Sequence, residues 1–159
     1  MPFTPTVPAS ATDWDCVLDD ARASLVANPT IASTLAIATN PKRIAPRIIA
    51  EGVAFPSIVL QFTPTYQSTF SNPMIAGFLD VSCYTTGEST TMVRSLLTAA
   101  LATLVDTPWI DSAMTAAGVA LVSQTREPDT AIRDLDEVIE GRIIRGKQAT
   151  IRLTAMKLL

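Results

Sequence analysis

The sequence contains no histidine in its 159 residues. Histidine is the commonest general base at neutral pH and the commonest metal ligand, so its absence removes every Ser-His and Cys-His nucleophile arrangement. With only six glycines, the chain has no GxGxxG motif, and it lacks the GK[ST] ending of a phosphate-binding loop. We therefore expect a protein that is not an enzyme, has no metal site and takes no cofactor.

Charged side chains are also scarce. They make up 17% of the sequence, whereas an average soluble domain has about 25%. The net charge of -3 argues against a basic face of the kind that binds a nucleic-acid backbone. A surface so poor in charge indicates burial against partner subunits.

Cysteine is limited to Cys16 and Cys83, which form no CxxC pair. A metal or redox motif is therefore not supported, and we interpret both residues as small buried hydrophobes. The N-terminus lacks the basic start and apolar run of a signal peptide. No window reaches the roughly 18 apolar residues of a membrane span. We expect a soluble protein made in a reducing cytoplasm.

The stretch from Thr86 to Val105 carries the clearest pattern in the chain. Its apolar residues recur at helical spacing and form a broad stripe along about five turns. Thr86 or Ser89 can cap its start, and Asp106 ends it. The pattern predicts a long central helix that packs on a sheet through Met92, Val93, Leu96, Leu97, Ala100, Leu101, Leu104 and Val105.

The N-terminal end is rich in proline, which favours an extended arm over residues 1–11. Phe3 and Val7 lie between its prolines. They are candidates for contact with a neighbouring subunit, and terminal disorder is the alternative. A single domain then spans residues 12–159. Its first helix is predicted to start at a Thr12 cap, and Asn28 with Pro29 is predicted to open a short second helix.

Four strands are predicted from alternating or apolar runs. The first covers Ser57 to Thr63 and the second starts at Met74, because Pro73 cannot lie in a strand centre. The third opens at Gly118, with Val119, Leu121 and Ser123 on one face. The fourth runs from Arg142 to about Met156. The fold class is therefore α+β, with a small antiparallel or mixed four-stranded sheet packed by the central helix, in the order α-β-β-α-β-β.

The second strand is apolar on both faces at one end. Ile75, Leu79, Val81 and Cys83 lie on one face, and Met74, Phe78 and Tyr84 lie on the other. A single helix layer covers only one of these faces. Met74, Phe78 and Tyr84 are therefore interface candidates, to be covered by the N-terminal helix or by another subunit.

The segment Glu127 to Glu140 holds six acids against one arginine, which is typical of a solvated loop, and we assign a loop to residues 127–141. Asp134, Asp136 and Glu137 lack the glycine and the spacing of a calcium-binding loop. Three bases follow. The bases either protect a strand edge or pair with the acids across a subunit boundary, which makes interface candidates of Arg142, Arg145 and Lys147.

Three segments carry a resemblance to a known family. They are the proline-punctuated KRIAPRIIAEGVAFPSIVLQF, then FLDVSCYT before the central helix, and GRIIRGKQATIRLTAM at the end. In this order of elements, which covers most of Asp13 to Met156, the chain resembles the tail terminator, or tail-completion, proteins of long-tailed bacteriophages. The N-terminal arm and the acidic segment are not features that the family requires.

The resemblance implies a structural protein of the virion tail or neck, assembled in the host cytoplasm. It implies a homo-oligomer, a hexameric ring that caps the tail tube protein, ends tube growth and offers a docking surface to the head-side connector or neck protein. DNA passes through such a ring without specific binding, and an acidic channel would repel phosphates. Residues expected to line this channel or touch the tube are Asp129, Asp134, Asp136, Glu137 and Glu140.

Two alternatives stay open. The chain could be another neck ring or a tail tube subunit of the same kind of virion. It could instead be a small cytoplasmic α+β enzyme or ligand-binding domain, which would need a pocket with converging polar groups. No motif indicates such a pocket.

Overall fold

The computed structural model of the chain describes residues 14–39, 41–46, 55–68, 73–86, 90–126, 132–139 and 141–158. Phe3 and Val7 of the predicted arm, the predicted caps Thr12 and Ser89, and the acids Asp129 and Glu140 lie outside these ranges.

Two helices open the described part of the chain. Helix α1 (Asp15–Ala27) starts after Trp14 and buries residues one helical turn apart, with Val17, Ala21 and Leu25 at most 2% exposed. Asn28 then ends α1 and opens α2 (Pro29–Thr34) as predicted. Its side-chain oxygen accepts hydrogen bonds from the backbone amides of Thr30 at 3.0 Å and Ile31 at 3.3 Å, which satisfies two amides that have no partner within the helix.

The described residues contain seven strands: β1 (Ile44–Pro46), β2 (Ser57–Ser68), β3 (Met74–Thr86), β4 (Val119–Arg126), β5 (Arg133–Asp134), β6 (Glu137–Ile139) and β7 (Arg142–Lys157). They form one sheet in the order β1-β2-β3-β7-β4, and β5 and β6 pair with β7. Strand β1 pairs in parallel with β2, and the other pairs of these strands are antiparallel. The predicted α+β class is confirmed, and the four predicted strands are β2, β3, β4 and β7. Three short strands add to them.

The central helix α3 (Thr91–Leu101) buries the predicted stripe, with Val93, Leu97 and Ala100 at most 1% exposed. The prediction that Thr86 caps this helix is wrong, because Thr86 ends β3 and pairs with Ile144. The helix also does not continue evenly to Val105. A π-helical turn over Ala102–Asp106 follows it, and the Thr103 hydroxyl in that turn accepts a 2.8 Å hydrogen bond from the Asn28 amide.

A short helix, α4, spans Ser112–Ala116. Helices α1 to α4 bury their apolar residues in one core together with one face of the sheet. The strand residues on this face were predicted from alternation, and Ile75, Leu79 and Val81 are at most 4% exposed. On β7, Ile151, Leu153 and Ala155 also point inward as predicted. Cys16 and Cys83 are buried and are not joined in a disulfide, as expected.

Strand β4 differs from its prediction. A register shift lies between Leu121, which pairs with Ala155, and Ser123, which pairs with Thr154. Because facing residues in an antiparallel pair share a face, Leu121 and Ser123 project to opposite faces and not to one. The residue at this bulge, Val122, is 56% exposed.

Candidate assembly surfaces

The face of the sheet opposite the core, here called the open face, carries the alternate residues of β3 and β7. Met74, Phe78 and Tyr84 lie on it, as predicted, and all three are only half-buried. Helix α1 contributes its buried residues to the core on the other face. The N-terminal helix is therefore not the cover for this face.

Polar contacts hold the side chains of the open face in place. The Thr150 hydroxyl donates to the Asp80 carboxylate at 2.6 Å, and the Arg152 guanidinium lies 5.5 Å from the centroid of the Phe78 ring, within cation–π range. The face thus mixes apolar area with fixed polar groups. That mixture is typical of protein–protein contacts.

Tyr84 lies at the end of the open face where Leu135 approaches Gly146 of β7. A Cβ atom added to Gly146 would lie 2.9 Å from Leu135 Cβ and 2.9 Å from Tyr84 Cδ1. Glycine at this position therefore lets Leu135 and Tyr84 approach β7 closely. The backbone amide of Leu135 also donates to the Gly146 carbonyl at 2.8 Å. Tyr84 is thus packed beside residues of its own chain.

The bases Arg145 and Lys147 lie on the face that carries the helices, because their partners in β3 are Thr85 and Cys83. The structure therefore does not bring them together with Met74 and Phe78. Arg142 is exposed at the start of β7.

Two ion pairs join these bases to the acidic segment within one chain. Arg145 Nη1 lies 2.7 Å from Asp136 Oδ2, and Lys147 Nζ donates to Asp134 Oδ1. The hydrogen bond and the charge of Lys147 hold the pKa of Asp134 below its ordinary value. The pairs differ from the predicted pairing across a subunit boundary, because β5 and β6 place the acids beside β7 of the same chain. Glu137 is exposed on β6.

Strands β6 and β7 form a hairpin that sequence reasoning missed. Val138 faces Ile143 across it, and Gly141 turns the chain with a φ of +76°. Val138 is 69% exposed and Ile143 39% exposed. The signal was the apolar residues on both sides of Gly141, which the high acid content of the segment concealed.

A groove between α2 and α3 is the second unexpected surface. Its volume is about 380 Å³, and none of the described residues that line it is charged: Thr30, Thr34, Thr91, Met92, Ser95, Leu96 and Ala99. Another cleft of about 410 Å³ lies beside α4 and β4, and among the described residues that line it Asp111 alone is titratable. Neither place offers an acid and base pair for catalysis.

Within the described ranges, no three His, Cys, Asp or Glu side chains lie close enough to hold a metal ion. The same part of the chain contains no helix with the length and apolar character needed to cross a membrane.

Comparison with known proteins gives a likeness among solved structures. No protein-family model matches the sequence, and no curated protein matches it. Among solved structures, a chain from the virion of a native gene transfer agent (GTA) particle superposes with a TM-score of 0.66. The match covers 93% of this chain and 99% of that chain, at 14% sequence identity. The two chains therefore share a fold over nearly their whole lengths.

Proposed function

We propose that this chain is a structural, non-catalytic subunit of a phage-like virion. The observation that carries the proposal is the fold shared with a chain of a gene transfer agent virion, over 93% of this chain and 99% of the other. Fold alone does not define function. The proposal therefore also rests on surfaces suited to assembly.

Two features of the surface support a subunit over a monomer. The open face exposes part of Met74 and Phe78, and the helical layer carries an uncharged groove. Large apolar areas that stay exposed on one subunit are typical of contact sites. A monomeric enzyme would instead need a cleft with converging polar groups.

Within the virion, we propose the role of tail terminator, as the order of elements implies. Copies of the chain would form a ring of six that caps the tail tube, ends its growth and joins it to the head-side connector. Different surfaces on one chain allow the head-to-tail contacts from which rings are built.

We further propose that the acidic segment faces the channel or the tube. Ion pairs with Arg145 and Lys147 hold Asp134 and Asp136 against β7, so the segment presents Glu137 from a fixed position. The proposal includes Asp129 and Glu140, which lie outside the described residues. A negatively charged segment in this place repels phosphates and lets DNA pass without specific binding.

The test is the assembly state of the purified chain, measured by light scattering and negative-stain electron microscopy. We expect closed rings of uniform size. Long hollow rods would instead support a tail tube subunit, and a monomer at every concentration would contradict a virion ring. Added to growing tail-tube subunits of the same particle, the rings should cap tube ends and stop elongation. Unchanged elongation would contradict the terminator role.

A further inference from the structure

The hairpin of β6 and β7 forms an apolar knob. Val138 and Ile143 face each other across it and therefore project from the same face. Strand β3 makes its last pair with β7 at Ile144, so Ile143 lies beyond the end of β3. The ion pair between Asp136 and Arg145 fixes the base of the hairpin. The knob is thus an exposed pair of apolar side chains on a supported strand pair.

Charged residues are scarce around the groove between α2 and α3, and the one nearest to its lining in sequence is Arg94 on α3. No residue from Ala23 to Pro41 is charged, and none is charged from Ser95 to Val105. Helix surfaces that face water normally carry charged side chains. Met92 is nevertheless 49% exposed at the groove, above the buried Leu96. The groove therefore has the character of a surface that is covered by an apolar partner.

The knob and the groove are formed by different elements. The described residues that line the groove lie on α2 and α3, whereas the knob lies on the hairpin of β6 and β7, beyond the end of β3. None of these lining residues belongs to β6 or β7, so the knob does not fill the groove of its own chain. Both surfaces are therefore available to another copy.

We propose that the knob of one copy, Val138 with Ile143, docks in the groove between α2 and α3 of the next copy. This inference rests on the proposed ring and supplies the contact that builds it. Two different surfaces meet, so the contact is head-to-tail and repeats around a closed ring. The groove volume of about 380 Å³ lies in the range of about 300–1,000 Å³ of small binding pockets, which suits the tip of a hairpin.

The first experiment places a charge on each surface separately. Val138→Asp places a carboxylate on the knob, and Ser95→Asp places one in the groove. Both positions are exposed enough for the fold to persist. Each variant should weaken subunit association at least about 30-fold, as expected of a central contact residue, while its melting temperature as a monomer stays unchanged. Light scattering measures the association. Rings that persist in either variant would overturn the inference.

Val122→Asp is the matched control. Val122 is also an exposed valine, at 56%. It lies on β4 beside the other end of β7, on the order of 35 Å from Ile143 at about 3.3 Å per residue. This variant should assemble like the natural protein. Dissociation in Val122→Asp as well would mean that any added surface charge breaks the ring, and would overturn the inference.

Mixing the two defective variants tests the head-to-tail pairing. The Ser95→Asp chain keeps its knob and the Val138→Asp chain keeps its groove, so each mixed pair can make one native contact. We expect a one-to-one dimer and no ring. A mixture that remains entirely monomeric would overturn the pairing.

A disulfide cross-link tests proximity directly. Cys16 and Cys83 are buried, so the natural chain should not cross-link under mild oxidation. The double variant Val138→Cys and Ser95→Cys should give a ladder of linked subunits, and each single variant should give none. Rings that form but yield only monomer after oxidation would overturn the inference alone. A natural chain that never assembles would instead overturn the proposed function.

Discussion

Asp20 in α1 and Met114 in α4 are joined by a hydrogen bond of 2.7 Å, in which the Asp20 carboxylate accepts from the backbone amide of Met114. The other carboxylate oxygen accepts from Ala113 at 3.0 Å. Helix α4 begins at Ser112, so Asp20 supplies the acceptors for amides that have no partner within the helix. Asp20 and Met114 are each 1% exposed, so water cannot replace this contact.

Removal of the Asp20 carboxylate should therefore destabilise the fold. Asp20→Ala leaves one buried and one partly buried amide without an acceptor, and we expect the free energy of unfolding to fall by about 3 kcal/mol. Asp19→Ala, at the neighbouring exposed position, should change it by less than about 0.5 kcal/mol. Urea unfolding of both variants measures the difference. Equal stabilities would show that α4 does not depend on Asp20.

Ala36 offers a stabilising change. It follows α2 with a φ of +47°, and the amide of Ile37 bonds the Ala32 carbonyl at 3.1 Å, which is the helix-ending motif that favours glycine. An alanine in this region is strained by roughly 1–2 kcal/mol, and glycine loses more backbone entropy on folding. Ala36→Gly should raise the free energy of unfolding by roughly 0.5–1 kcal/mol. In the interior of α1, Ala23→Gly should lower it by about 1 kcal/mol, so the same trend in both variants would contradict this account.

The elements that the sequence predicted correctly are those defined by the spacing of residues close together in the sequence. The α3 stripe, the two faces of β3 and the Asn28–Pro29 helix start each depend on residues within a few positions of one another. Local spacing is enough to define a buried face, because burial follows the geometry of one helix or one strand. From these elements, the sequence alone predicted which residues form the core and which form the open face.

The features that the sequence did not predict depend on distant residues. Asp20 caps α4 from 94 positions away, and nothing near Asp20 in the sequence marks this contact. The strands β5 and β6 are short and acidic, and they form by pairing with a long partner that follows them. Their charges are matched by Arg145 and Lys147, which only the sheet register brings close. The knob on β6 was missed for this reason.

The ion pair of Asp134 and Lys147 predicts an effect of pH. The Lys147 ammonium holds the pKa of Asp134 below the ordinary aspartate value, which is about 4. A carboxyl group whose pKa is lower in the folded state stabilises the fold above its unfolded pKa, and this contribution is lost as the pH falls through the folded pKa. We therefore expect the contribution to be present at neutral pH and lost in acid, below about pH 4.

Titration of Asp134 by carboxyl NMR checks this directly. Lys147→Met removes the hydrogen bond and the nearest positive charge, so the pKa of Asp134 should rise towards its ordinary value. Lys157→Met, at the other end of β7, is the control and should leave the titration unchanged. A pKa that stays low without Lys147 would mean that Arg94 and Arg145 are sufficient to hold it.

Methionine oxidation tests whether assembly covers the open face. Met74 and Met156 face each other at one end of it, Met92 is 49% exposed at the groove, and Met114 is 1% exposed in the core. Hydrogen peroxide converts accessible methionine to the sulfoxide. In rings, we expect Met74 and Met156 to oxidise several-fold more slowly than in subunits dissociated by dilution, whereas Met114 should be slow in both states. Peptide mass spectrometry measures each rate.

The same experiment separates the two proposed surfaces. If Met92 alone is protected in rings, the groove is occupied by a neighbouring copy while the open face remains accessible, and the open face is then available to the tube or the channel. If Met74 and Met156 alone are protected, the ring closes through the sheet and the groove is free. We expect protection at both sites when the sheet and the helical layer each contact a partner. The two surfaces lie on opposite sides of the core, so one partner cannot cover both.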